Sequence, residues 1–337
     1  SELIEPRSMA FDGEGRLYVA DAKPPIIKVY DRTGRLVRTI GREGEGPGEF
    51  RIAFIAVEGD ALIVHDPRVS RTSVFDTSGT FRRSWHSQCC YWGDITVDTA
   101  GIVVIAGPGP TPKTIGGDDT EGQAYFRYDT AGRAIDTIPI RTAGTPEPKL
   151  WTVSRKSGGQ VSAMLSMLVP MAPRRVERPH PHGGFLVAWT GDYSIVRTRT
   201  GRDTVRLLRR TWIPDPLSDD QRKALGELAV RQAAGDWGEE EVRKAFRVEE
   251  VPTTLPAFAA LAVDPGGHVW ARRSQADPDA PSRFDVFGPD GAWLGEVKVP
   301  VATREYGAQA WGANEVAFAI EDADGRPVIV RYRVVKR

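Results

Sequence analysis

One pattern recurs along the chain and limits what it can become: short runs in which β-branched and aromatic residues alternate with polar ones, divided by compact turns rich in aspartate and glycine. The stretch SMAFDGEGRLYVADAKPPIIKVYDRTGRLVRTIG, Ser8 to Gly41, reads as four strands, from Met9 to Asp12, Arg16 to Asp21, Ile26 to Asp31 and Leu36 to Ile40. Its turns are Asp12-Gly13-Glu14-Gly15 and Asp31-Arg32-Thr33-Gly34, where glycine adopts positive φ and aspartate bonds its own backbone. One such four-stranded antiparallel sheet cannot bury both faces alone, so copies must stack.

Copies follow in order. IAFIAVEGDALIVHDPRVSRTSVFDTSGTFRRSW repeats the turn as Asp76 to Gly79, and YFRYDTAGRAIDTI repeats it as Asp129 to Gly132. The fourth copy, GGFLVAWTGDYSIVRTRTGRDTVRLLRR, keeps the glycines but loses the aspartate. The fifth combines LAVDPGGHVWARR with RFDVFGPDGAWLGEV, and the sixth is AQAWGANEVAFAIEDADGRPVIVRYRVV. Radial stacking of these sheets predicts an all-β, six-bladed β-propeller in one domain, 1–337. The blades fall at about 8–41, 51–87, 93–140, 174–210, 256–298 and 305–335, with insertions at 141–173 and 214–256. The last copy stops after its third strand, and Ser1 to Glu5, with Leu3 and Ile4, is expected to supply the missing outer strand and close the ring.

GREGEGPGEF, together with DGEGRLYVAD and VYDRTGRLVRTIG before it, resembles the NHL-repeat propellers and related bacterial six-bladed propellers. The resemblance covers nearly the whole chain and is strongest in the first two blades. It implies a fold whose members bind proteins, RNA or small ligands, some related rings being enzymes, so function must come from sites. It also implies export, because bacterial propellers of this type are often extracytoplasmic, and a periplasmic location is the expectation.

Charge narrows the partners. Lysine and arginine number 45 against 45 aspartates and glutamates, a net charge of zero, so no global field draws nucleic acid or an anionic membrane. No apolar run reaches the roughly 20 residues a membrane span needs. No charged start with an apolar core and cleavage site begins at Ser1, although a precursor trimmed there would look the same.

Chain order then separates two faces. Links between first and second strands, and between third and fourth, are tight turns at one end of the blades. The long segments, Gly107 to Gln123, Arg141 to about Pro173, Pro214 to Pro256 and Ser274 to Pro281, all belong to the other end. Within 141–178, basic ends flank an apolar middle containing Met164, Met167 and Met171, which reads either as a lid over the channel or as a partner contact. The segment 214–256 is expected to be helical: Ser218 and Gln221 form a capping box, and Asp219 and Asp220 sit in the first turn. It is the more acidic of the two insertions, so the pair is expected to bond across the rim.

Candidate partner contacts on the decorated face are Trp92, Trp151, Met164, Met167, Met171, Arg174, Arg175, Trp212 and Trp237. Cys89 and Cys90, the two cysteines, are adjacent, and either a vicinal disulfide or two free thiols is compatible with the sequence. His180 and His182 read as a solvent-exposed turn, and His65 as a core residue. The glycines from Gly41 to Gly48 do not form a phosphate loop, since Glu43 and Glu45 repel phosphate and no lysine follows; they make a crossover with Phe50 as its plug. No complete catalytic set, metal site or cofactor motif is legible. The expected function is therefore a non-catalytic scaffold or accessory subunit, docking by its decorated face onto a protein partner or membrane-associated complex. The alternative is a small-ligand binder or metal-dependent hydrolase at the channel mouth, lined by Arg51, Asp94 and Glu305.

Overall fold

The structure, a computed structural model, describes residues 2–87, 95–108, 123–139, 146, 148–158, 160–201, 203–304 and 307–335. Six antiparallel sheets follow one another in chain order. The first holds β1 (Pro6–Phe11), β2 (Leu17–Ala22), β3 (Pro25–Tyr30) and β4 (Leu36–Ile40); the second holds β5 (Phe54–Glu58), β6 (Ala61–Asp66), β7 (Arg71–Asp76) and β8 (Phe81–His86). The third holds β9 (Ile95–Val97), β10 (Val103–Pro108), β11 (Gln123–Tyr128) and β12 (Ala134–Pro139). A separate hairpin of β13 (Leu150–Ser157) and β14 (Gln160–Leu168) precedes the fourth sheet, which holds β15 (Arg175–Pro179), β16 (Phe185–Trp189), β17 (Ser194–Thr198) and β18 (Arg206–Arg209). Two helices, α1 (Asp219–Ala234) and α2 (Glu239–Arg243), lie between that sheet and the fifth, β19 (Phe258–Val263), β20 (Val269–Arg273), β21 (Arg283–Phe287) and β22 (Trp293–Lys298). The sixth sheet holds β23 (Gln309–Trp311), β24 (Glu315–Glu321) and β25 (Pro327–Arg333).

This is a six-bladed propeller with one helical insertion. First strands of neighbouring sheets adjoin around the axis, β1 against β5 and β23, β5 against β9, and β15 against β19. The cores lie between blades. Between the first and second, Tyr18, Ile27, Val29, Ile40, Ile55, Leu62 and Phe75 are buried together. Burying each large apolar side chain contributes about 1.5–3 kcal/mol relative to leaving it in water, so the seams carry most of the stability.

The aspartates that mark the repeat have one job. In the Asp31, Asp129 and Asp322 turns, Oδ1 accepts the backbone N–H groups two and four residues on, which closes the loop without another element. The fourth blade keeps the geometry by other means: Asp203 reaches back and accepts from the amides of Arg199 and Thr200 and from the Thr198 hydroxyl. The crossover after the first blade is plugged as expected. Phe50 is 1% exposed, and a Cβ at Gly41, which has φ +76°, would meet its ring at 2.2 Å.

The ring closes differently from expectation. Among the described residues, the sixth sheet has three strands, and the segment from Glu2 to Glu5 is not a fourth. It is bonded to the first sheet instead. The Ile4 and Glu5 amides donate to the buried Asp21 carboxylate at 3.1 and 2.7 Å, and Ala22 N–H donates to the Glu5 carbonyl. The Asp322 turn joins the second and third strands of the sixth sheet, so chain order places it at the decorated end rather than with the other Asp-x-x-Gly turns.

Candidate functional site

The decorated end is built from two insertions that hold each other. β13 and β14 pair in a register that sets Trp151 opposite Met167 and Val153 opposite Leu165 on one face, with Leu150 opposite Leu168 and Ser154 opposite Met164 on the other. The first face is inward. Trp151 is 2% exposed, stacks edge-on against Phe246 at 5.2 Å, and donates from Nε1 to Glu250 Oε2 at 2.6 Å. Val251, Val169 and Ala172 complete that small core, with Met167 and Ala229 against it.

The helices present the surface this hairpin needs. Ser218 and Gln221 form the expected capping box, their reciprocal bonds being 3.2 and 2.9 Å. The buried side of α1 is Leu225, Gly226, Val230 and Ala234, and Phe246 packs directly on Gly226. The Arg222 guanidinium donates to the Val248 and Val251 carbonyls, tying α1 to the segment that follows α2. The expected pairing between insertions is present: Arg155 donates to Glu241 at 2.7 Å. That contact raises the Arg155 pKa and lowers that of Glu241, in each case chiefly through the hydrogen bond.

The outward face of the hairpin is apolar and in water. Leu150, Val161, Met164 and Leu168 are 49, 59, 66 and 39% exposed. Of the candidate contacts, Met164 is therefore on this surface, whereas Trp151 and Met167 staple the hairpin down. Met171 packs on the core of Leu217, Leu225 and Leu255, and Trp212 packs between the fourth and fifth blades. Trp237 is half-buried beneath Arg155. What sequence reasoning missed is that β13 and β14 form a hairpin, and that Leu150, Val161 and Leu168 share its outer side. The signal was alternation: Trp151 and Val153, like Leu165 and Met167, recur every second residue.

Arg174 and Arg175 are both half-buried within the ring rather than presented at its surface. Arg174 Nη2 donates to the Ala259 carbonyl at 2.7 Å, and Arg178 Nε to the Leu261 carbonyl at 3.1 Å, so both bridge β15 to β19. Arg175 pairs with Glu177. Burial pushes the Glu177 carboxyl up, Arg175 opposing it, and among the described residues its Oε2 has no hydrogen-bond partner. Arg51 does not face the channel as a free cation: it donates to Glu45 at 3.1 Å, and its amide to Asp66 at 2.6 Å. Asp94, Glu305, Trp92, Cys89 and Cys90 lie outside the described residues.

The histidine turn differs from expectation at one position. His180 is 4% exposed, its ring 5.4 Å from that of His182, which is itself exposed and bonded to the Pro265 carbonyl. Burial lowers the His180 pKa to about 4. His65 is fully buried as expected. Among the described residues, no three histidine, cysteine, aspartate or glutamate side chains are grouped to hold a metal ion. No helix there is long and apolar enough to cross a membrane.

No family model matches the chain, and no curated protein does. Solved structures do. A Bacteroides fragilis protein described as exported is similar over 99% of this chain and 92% of its own, with a TM-score of 0.51 at 11% identity. A DUF4221 family member from Bacteroides vulgatus is similar over 99% of this chain and 97% of its own, with a TM-score of 0.50 at 12% identity. A streptogramin B lyase matches at 10% identity over 100% of this chain and 85% of its own, with a TM-score of 0.44. At such identities the first two likenesses carry the fold, and the site above has to carry any function.

Proposed function

We propose that the chain is a non-catalytic propeller scaffold, of NHL-like type and working outside the cytoplasm, whose decorated face docks onto a protein partner in a membrane-associated assembly. One observation carries this reading. The hairpin is fixed from beneath by Trp151 and Arg155, yet it holds Leu150, Val161, Met164 and Leu168 outward in water. Exposed apolar side chains on a pre-ordered support lose little conformational entropy when a partner covers them. The similarity to a protein described as exported supports the location.

The test is a photoreactive residue placed at Met164, with the same residue at Asp60, in the exposed turn between β5 and β6, as a control on the opposite end, irradiated in native membranes. Adducts of one defined partner at Met164 and not at Asp60 are expected. Equal labelling at both sites, or a native mass measurement that finds only free monomer, would sink the proposal.

A further inference from the structure

The third and fourth blades treat the same arginine in opposite ways. In the third, Arg127 is the last residue but one of β11 and stands directly opposite Asp136 on β12. Its guanidinium donates through Nε and Nη2 to the two carboxylate oxygens, the Nε bond being 2.6 Å. In the fourth, Arg197 is the last residue but one of β17, and the residue directly opposite it on β18 is Arg206. Like charges set opposite each other on one face of a sheet destabilise it. Arg199, two positions on, adds a third cation. Among the described residues, no carboxylate lies within ion-pair distance of any of these three guanidiniums. The acid of the turn, Asp203, is engaged by the hydroxyls of Thr198 and Thr200 and the amides of Arg199 and Thr200.

The cations are held where they are rather than left to move apart. Arg197 Nη2 donates to the His182 carbonyl at 3.3 Å, and Arg206 Nη1 donates to the Asp290 carbonyl of the fifth blade. The Arg206 stem lies on Gly291, where a Cβ would meet it at 3.0 Å. A guanidinium carries five N–H groups, so each arginine keeps most of its donors for a ligand. Burial, and after it the charges of Arg206 and Arg199, lowers the Arg197 pKa, whereas the bond to Asp136 raises that of Arg127. The turn carboxylates of the fifth blade have other partners: Asp264 accepts from the His268 amide and the Trp270 indole, and Asp290 from the Ala292 amide.

We propose that Arg197 and Arg206, with Arg199 beside them, form a binding site for a phosphate or sulfate group, which takes the place that the Asp136 carboxylate fills in the third blade. A tetrahedral oxyanion suits the site better than a carboxylate, because its oxygens diverge and reach guanidiniums on two strands at once. The site lies at the tight-turn end of the fourth blade, where β17 leads into β18. It is therefore separate from the hairpin of the decorated face and independent of the docking reading.

The probes are inorganic phosphate, inorganic sulfate, phenyl phosphate and phenyl sulfate, each titrated calorimetrically into the full chain at constant ionic strength. At least one is expected to saturate with a dissociation constant on the order of 1 mM, and acetate to bind at least about tenfold more weakly. Arg197→Gln and Arg206→Asp each lose that binding, the second because it sets a carboxylate opposite Arg197 as Asp136 stands opposite Arg127. Arg133→Gln, in the exposed turn of the third blade, binds as the wild type does, and melting curves confirm that all three fold. Because Arg206→Asp also uncovers Gly291, a second measurement on the wild type stands alone: the anion shields Arg197 and Arg206 from phenylglyoxal and leaves Arg133 as reactive as before. Tighter binding of a free ion than of its phenyl ester makes the ligand an inorganic anion, and the reverse makes it a phosphorylated or sulfated molecule. Absence of saturable binding, equal binding of acetate, binding that survives Arg197→Gln, or failure of the anion to shield these two arginines overturns the inference.

Discussion

The guanidinium of Arg155 lies 4.4 Å from the ring centre of Trp237 while donating to Glu241 and to the Trp237 carbonyl, so a residue from the hairpin is held by three groups of the helical insertion. Beneath it, Trp151 bonds Glu250 across 99 positions of sequence. Together they make one body of two loops, and each contact contributes differently. Arg155 is at the surface and screened by solvent. Trp151 is buried, so Trp151→Ala removes a large core side chain and should cost about 3–5 kcal/mol of local stability. Hydrogen exchange should report the difference: faster exchange in 150–168 and 219–251 for Trp151→Ala, a small change for Arg155→Ala, and no change in β1 to β8 for either. If Trp151→Ala accelerates exchange throughout the ring, the insertions are part of the propeller core rather than a unit upon it.

The turn aspartates make stability acid-sensitive in a defined window. Hydroxyl donation by Thr33 holds Asp31 down at about 2, and Ser78 does the same for Asp76, backbone amides adding to both. An unfolded aspartate titrates near 3.9. A folded pKa below that value means the ionised form favours the fold, so the contribution is complete above about pH 4 and lost as pH falls toward 2. The Asp31→Asn, Asp76→Asn double variant should melt below the wild type at pH 7, and the gap should close between pH 4 and 2. A gap that persists to pH 2 would show that the carboxylate charge is not what these turns use.

His65 gives a second window at milder acidity. Its ring is fully buried on β6, and Nδ1 lies 3.1 Å from Thr72 Oγ1 and 3.3 Å from Ser87 Oγ. Burial lowers its pKa to about 4. The neutral form is the folded form, whereas the unfolded ring takes a proton near 6.5, so stability present at pH 7 drains away as pH falls from 6.5 to about 4, by at most about 3 kcal/mol. Chemical unfolding at pH 7.5 and 4.5 should show this loss in the wild type and a smaller one in His65→Gln. An NMR titration that finds the His65 ring protonating near 6.5 in the folded protein would refute it.

Why some of this could be read from sequence and some could not follows from the range of the interactions. The blades are legible because a strand alternates every two residues and because Asp31 or Asp129 bonds amides only two and four positions away. The same reasoning placed the helical insertion, since the Ser218–Gln221 box spans three residues. It lost the fourth blade's turn only in detail: Asp203 does from behind what Asp129 does from in front. Trp151 was misjudged as an anchor for others because its partners, Phe246 and Glu250, are about a hundred residues downstream and carry no periodic relation to it. Closure by Ser1 to Glu5 failed for a similar reason, because the buried Asp21 and Lys28 claim that segment first.

The outward face of the hairpin can be separated from its support by charge. Val161→Lys and Met164→Lys each place an ammonium where a side chain now stands 59 or 66% exposed, so neither disturbs a core, and the melting temperature should stay within the effect of about 0.5 kcal/mol typical of surface changes. Covered by a partner, the same ammonium would be desolvated without a counter-charge, and affinity should fall by about tenfold or more for each. The measurement is capture of the partner cross-linked at Met164, with competing wild-type or variant chain titrated against it. The Lys variants should fail to compete while Ile213→Lys, 82% exposed away from the hairpin, competes as the wild type does. Full competition by both hairpin variants would remove this surface from the interface, since no rearrangement of a rim contact hides two uncompensated charges on one four-residue stretch.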